Sequence, residues 1–121
     1  MIVVAVIIAL VFIGAILFYS FPIVEVCGDS MYPTYKDGEY ILSHRFFRKS
    51  KLKIGDVIIF DSEDSERIVI KRIAHIRRNP DKSISFYVLG DNPEVSYDSR
   101  YYGWIDSDCL ICKPFNQRRK A

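Results

Sequence analysis

The chain has 121 residues, half of them hydrophobic, with 17 lysines and arginines against 15 aspartates and glutamates for a net charge of +2. Charge so nearly balanced provides no strongly basic field for nucleic acid, and the length allows one domain behind any targeting segment. Three cysteines, Cys27, Cys109 and Cys112, are an odd number, which excludes a disulfide framework that uses them all.

Ile2 to Tyr19 contains no charged residue. As a helix it would span about 27 Å, close to the roughly 30 Å of a bilayer's hydrocarbon layer, so a single transmembrane helix is expected. Residues 1–20 then form an anchor and 21–121 the folded domain. Ser20 and Pro22 end the helix, because proline cannot continue its hydrogen-bond ladder. A cleavable signal peptide competes with this reading, but no basic residue opens the run and no small-x-small site follows it. Near the membrane, Glu25, Asp29, Asp37 and Glu39 stand against one Lys36, so the positive-inside signal is weak and leaves the orientation open.

Beyond the anchor, short runs rich in Val, Ile, Tyr and Phe alternate with turn signals. Strands are expected at Ile23 to Cys27, Tyr40 to Ser43, Val57 to Phe60, Ile68 to Ile76 and Ser83 to Leu89, with short ones at Trp104 to Ile105 and Leu110 to Ile111. The expected fold is mostly β: a small antiparallel sheet or barrel-like domain behind the helix. His44 to Lys53 interleaves basic residues with Phe46 and Phe47. That pattern suits lipid head groups, or more simply a solvated connection whose two aromatics fold onto the sheet. Gln117 to Lys120 reads as a frayed polar tail.

The chemistry concentrates in Gly28-Asp29-Ser30-Met31-Tyr32-Pro33-Thr34. Glycine and proline bound a turn that carries Ser30, and a serine hydroxyl becomes a good nucleophile only beside a base. Neither His44 nor His75 has a recognisable carboxylate partner, so a Ser-His-Asp triad is weakly supported. Lys71 is the better base. Strand alternation puts it on one face with Val69, Ile73 and His75, and an inward-facing amine loses solvation and proton affinity together. Arg72 points the other way and cannot deprotonate.

Four segments together resemble type I signal peptidases: Val26 to Thr34; Gly55-Asp56-Val57; Lys71-Arg72-Ile73; and Gly90-Asp91-Asn92 with Ser96, Asp98-Ser99-Arg100 and Gly103. The resemblance implies a membrane-bound serine endopeptidase that cleaves exported preproteins after Ala-x-Ala-type sites, with no cofactor or metal. It places the chain as a single-pass monomer in the cytoplasmic membrane, its catalytic domain on the extracytoplasmic side. Ser30 would be the nucleophile and its backbone N–H the oxyanion donor, Lys71 the general base and Ser96 the hydroxyl that orients the lysine. Asp98 and Arg100 would form a structural pair. Gly28 stands where some members carry a serine that gives a second oxyanion donor, and that donor is unassigned here. Ala74 to Asp81 replaces the family's glycine and Pro-Gly-Asp turn. Val24, Val26, Met31, Val69 and Ile70 are expected to line a groove for an extended substrate.

Cys109-Leu110-Ile111-Cys112 has the spacing of half a zinc site, but no second pair of ligands accompanies it. Packing cysteines are the simpler expectation, ahead of a local disulfide. Rival readings are a self-cleaving protease similar to the LexA type, a peptidase specialised for one substrate such as a pilin precursor, and an inactive membrane-tethered β binding module.

Overall fold

The computed structural model of the chain describes residues 1–63 and 67–120. Helix α1 runs from Ile2 to Ser20 and is apolar on every side, with a mean hydropathy of 3.1 over its most apolar window and none of that window buried against the domain. A helix this uniform has no polar face to show to water, and it is long and apolar enough to cross a membrane. At its lower end the last carbonyls lack helical partners. Arg45 supplies them: its backbone N–H donates to Ser20 O at 3.1 Å and its Nε to Tyr19 O at 2.7 Å. The guanidinium lies 4.4 Å from the centre of the Tyr19 ring, and it also donates to Ile111 O at 3.3 Å. One arginine thus ties the helix to the sheet, where a cation also complements the helix dipole.

The expected fold class is borne out. Seven strands, β1 (Ile23–Glu25), β2 (Tyr40–His44), β3 (Val57–Ser62), β4 (Arg67–Arg78), β5 (Ile84–Leu89), β6 (Ile105–Asp106) and β7 (Leu110–Pro114), form one antiparallel sheet in the order β1-β2-β7-β3-β4-β5-β6. Residues of β3 alternate between two cores. Val57 and Ile59 join Val26, Met31, Tyr35, Ile41, Ile70 and Cys112. Ile58 and Phe60 join Leu52, Ile73, Ile84, Phe86 and Val88. A strand buried on both faces reads as a continuous apolar run, as Val57 to Phe60 does.

Four expectations change. The first strand ends at Glu25, and Cys27 is exposed on the approach to the turn. In β4 the register shifts between Ile73 and His75, so the alternation that joined His75 to Lys71 fails there: Ile73 and Ile76 pack into the second core, while His75 is exposed against Tyr87. Phe47 folds onto the sheet, but Phe46 is exposed and meets the ring of Phe21 at 5.7 Å. The C-terminal segment is not frayed at Gln117 and Arg118. Gln117 bonds both backbone groups of Val57, and Arg118 pairs with Glu39, donates to Thr34 O at 3.0 Å and lies over the Tyr35 ring. Cys109 and Cys112 are free thiols divided between the two cores.

Candidate active site

The turn that carries Ser30 follows directly from its sequence. Gly28 adopts a φ of +89°, a conformation that a side chain at this position would strain, and its N–H donates to Asp37 Oδ1 at 2.7 Å. The chain then bends so that Tyr32 N–H meets Asp29 O at 3.1 Å and Tyr35 N–H meets Met31 O at 2.9 Å. Met31 and Tyr35 are fully buried and anchor the turn in the first core, leaving Ser30 half-buried above it.

Lys71 lies opposite Ile58 in the β3–β4 register, in a strand buried by its neighbours, and it is 5% exposed. Its Nζ is 2.7 Å from Ser30 Oγ. Burial pulls the lysine pKa down to about 8, and the nearby negative charge of Asp98 opposes part of that fall. As an ammonium, Lys71 donates to the serine. When neutral, its lone pair accepts the serine proton along the same line. Ordinary lysines lack this option at neutral pH.

Behind the lysine lies a hydrogen-bonded loop. Ser96 Oγ donates to Asp98 Oδ2 at 2.7 Å, Gly90 N–H reaches the same oxygen at 3.0 Å, and Arg100 grips both carboxylate oxygens. Burial alone would raise the pKa of Asp98, but the bonds from Arg100, Gly90 and Ser96 together hold it at about 2. Asp98 also caps the short helix α2 (Ser99–Tyr102) by accepting from Arg100 N–H. Ser96 is therefore aimed at Asp98. Among the described hydrogen bonds, the lysine amine has Ser30 as its partner, so the expected direct Ser96–Lys71 contact is replaced by the charge of Asp98 acting on the lysine.

A second ion pair, with a buried carboxylate and a half-buried guanidinium, sits beside this loop. Arg72 donates through Nε and Nη2 to the two oxygens of Asp91, at 2.9 and 2.7 Å, and through Nη1 to Gly55 O at 2.8 Å. This bidentate geometry joins three of the separated motifs. Sequence spacing assigns no role to Gly90, Asp91 or Asn92, yet all three touch the Ser30 turn. Asp91 N–H donates to Met31 Sδ at 3.4 Å and Asn92 N–H to Ser30 O at 2.9 Å. Gly90 lies against Ser30 O so closely that a β-carbon there would come within 2.6 Å of it.

The expected substrate groove is not assembled as a single wall. Val26, Met31 and Ile70 are closed into the first core, with Val24 packed against it. Val69 packs against the second core, because adjacent residues of a strand point to opposite faces. Neither His44 nor His75 approaches Ser30: His44 packs on Phe115 and His75 on Tyr87. Among the described residues, no group of three or more His, Cys, Asp and Glu side chains is arranged to hold a metal ion.

A family model described as "Signal peptidase, peptidase S26" matches residues 1–76, a span that includes both Ser30 and Lys71. Curated proteins named "Signal peptidase complex catalytic subunit SEC11C", from Homo sapiens, Mus musculus and Canis lupus familiaris, are each 28% identical to the chain over 93 residues. The matched region covers 74% of this chain and 48% of each relative, so the chain spans about half the length of the curated relatives it matches.

Proposed function

The chain belongs to the peptidase S26 family of signal peptidases, and from that premise we propose that it is a membrane-anchored serine endopeptidase that removes signal peptides from exported preproteins. The observation that carries this reading is the 2.7 Å contact between Lys71 Nζ and Ser30 Oγ, made by a lysine held at a pKa of about 8. A buried amine with this pKa meets the requirement of a general base near neutral pH.

In the proposed reaction neutral Lys71 takes the Ser30 proton as Oγ attacks the scissile carbonyl. The tetrahedral oxyanion accepts a hydrogen bond from Ser30 N–H, for which no acceptor exists among the described hydrogen bonds. The lysine ammonium then protonates the departing amine, leaving an ester on Ser30. Neutral again, Lys71 removes a proton from a water that hydrolyses the ester. Asp98, held ionised by Arg100, Ser96 and Gly90, keeps Lys71 from losing its proton too readily, so that it remains an effective acid in the second half of each step.

Helix α1 would hold the domain against the bilayer as a single span, with the catalytic site on the extracytoplasmic side where signal peptides emerge. The substrate is expected to carry small residues before the cut, of the Ala-x-Ala type, and the enzyme to act as a monomer without a cofactor. The test is cleavage of a model preprotein by detergent-solubilised protein, with products read by mass spectrometry. Ser30→Ala and Lys71→Ala should each lower kcat by roughly 10⁴-fold or more while the domain stays folded. Wild-type rates in either variant would rule out the dyad.

A further inference from the structure

Asn92 reaches the nucleophile turn twice. Its backbone N–H donates to Ser30 O at 2.9 Å, and its side-chain Nδ2 donates to Asp29 O at 3.1 Å. These carbonyls lie on either side of Ser30, in consecutive peptide units. The chain's only cis peptide bond among the described residues is Tyr32-Pro33, so the Asp29–Ser30 unit is trans. In a trans unit the C=O and N–H are coplanar and point in opposite directions. Whatever fixes Asp29 O therefore also fixes the direction of Ser30 N–H.

Resting on the reading of Ser30 as the nucleophile, we propose that Asn92 is a positioning residue for the oxyanion site: its side-chain amide locks the Asp29–Ser30 peptide plane so that Ser30 N–H faces the carbonyl under attack. Two donors hold Asp29 O, but they differ in kind. Tyr32 N–H belongs to the turn itself and moves with it. Asn92 lies 63 residues away on another loop, which is fastened by the Arg72–Asp91 pair and by Asp91 N–H on Met31 Sδ. Only this second donor gives the plane a reference outside the turn. The need is greater because Gly28, two residues before the serine, has a positive φ and no side chain to limit the flanking torsions or donate a hydrogen bond.

The experiment measures kcat and KM separately, the pH profile and the thermal midpoint for Asn92→Ala and Asn92→Asp, using the full chain in detergent and a preprotein with an Ala-x-Ala site. Asn92→Ala removes the side-chain bond and keeps the backbone one. Its kcat should fall about tenfold, less than the 10²- to 10³-fold typical when an oxyanion donor is removed outright. KM should stay within about twofold, and the apparent pKa of the acidic limb should not move, because Lys71 is untouched. Asn92→Asp should be slower still, since a carboxylate has no proton to give Asp29 O and repels it. Should Asn92→Ala fail to fold, the isosteric Asn92→Asp decides alone. A kcat within twofold of wild type in either variant overturns the inference, as does a raised KM in either or a shifted pKa in Asn92→Ala, which would mark general loosening of the loop. The pKa criterion does not apply to Asn92→Asp, whose new charge itself raises the lysine pKa. A wild-type protein that cleaves nothing overturns the reading of Ser30 itself, and an active wild type with unimpaired Asn92 variants overturns the role of Asn92 alone.

Discussion

Gly90 and Ser96 are in such close contact that a β-carbon on Gly90 would lie 2.1 Å from Ser96 Oγ and 2.6 Å from Ser96 Cβ. The same β-carbon would approach Ser30 O within 2.6 Å. This glycine is required for space, since the hydroxyl that braces Asp98 and the Ser30 carbonyl both occupy the volume of a side chain.

Gly90→Ala should therefore separate the Ser30 turn from the Asp98 loop. Neither neighbour can yield cheaply, as Ser96 is 5% exposed and bonded to Asp98, and Ser30 O is backbone bonded to Asn92. Overpacking of this kind costs about 1–3 kcal/mol. The expected result is loss of peptidase activity together with a lower thermal midpoint, measured side by side. Retention of full activity would contradict the packing described.

The acidic limb of the pH–rate profile should report Lys71, with activity rising as pH passes through about 8 and the amine becomes neutral. Burial drives that value below the ordinary lysine range, and the Asp98 charge acts against it. Asp98→Asn removes the opposing charge, so the limb should move to lower pH even as kcat falls through loss of the loop's bonds. A limb that shifts upward, or does not shift, would show that Asp98 does not act on the lysine through its charge.

The lysine also links pH to stability, with a sign opposite to that of a lysine gaining an ion pair. Its pKa is about 8 in the folded chain against 10.5 normally, so the unfolded chain binds the proton more tightly. Below pH 8 the charged amine is buried at full cost, of order 3 kcal/mol for a shift of this size. That cost disappears as pH rises from about 8 to 10.5. Wild-type stability should therefore increase across this window. Lys71→Met, inactive, should be more stable than wild type at pH 7 and lose that advantage towards pH 10. Denaturant unfolding at both pH values measures the difference.

Much of the site was legible because it lies in local pattern. The uncharged run that becomes α1, the glycine- and proline-bounded turn at Ser30, and the inward alternation of Lys71 each depend on a few adjacent residues. What stayed hidden depends on contacts between distant segments. Nothing adjacent to Asn92 reveals that its amide ends on Asp29 O, and nothing near Ser96 distinguishes a bond to Lys71 from one to Asp98. Alternation alone puts His75 beside Lys71, and it cannot anticipate the bulge at Ala74 that adds a residue and turns His75 away. The sequence is equally silent on how Val26, Met31 and Ile70 are used, since they are apolar enough for either a substrate wall or a core; here they pack with Tyr35 and Ile41.

Gln117 shows how a polar tail residue can complete a sheet. Val57 is fully buried, and its N–H and C=O are both met by the Gln117 side chain, with Val57 N–H donating to Oε1 at 2.7 Å and Nε2 donating to Val57 O at 3.0 Å. The same Nε2 reaches Pro114 O at 2.9 Å, fixing the turn that carries the tail back. Gln117→Leu would fill a similar volume but leave two buried backbone groups without partners, and each such group costs about 1–3 kcal/mol. Val57 pairs with Arg72, the neighbour of Lys71, so the disturbance begins one residue from the proposed base. The expected outcome is a loss of about 2 kcal/mol or more in denaturant unfolding, with faster amide exchange at Val57. Gln117→Glu keeps the acceptor for Val57 N–H but as a carboxylate has no proton for Val57 O, so it should fall between Leu and wild type only under acidic conditions, where the neutral carboxyl regains an O–H donor. An unchanged unfolding midpoint for Gln117→Leu would mean that water replaces the amide, and that the tail is not part of the fold's support.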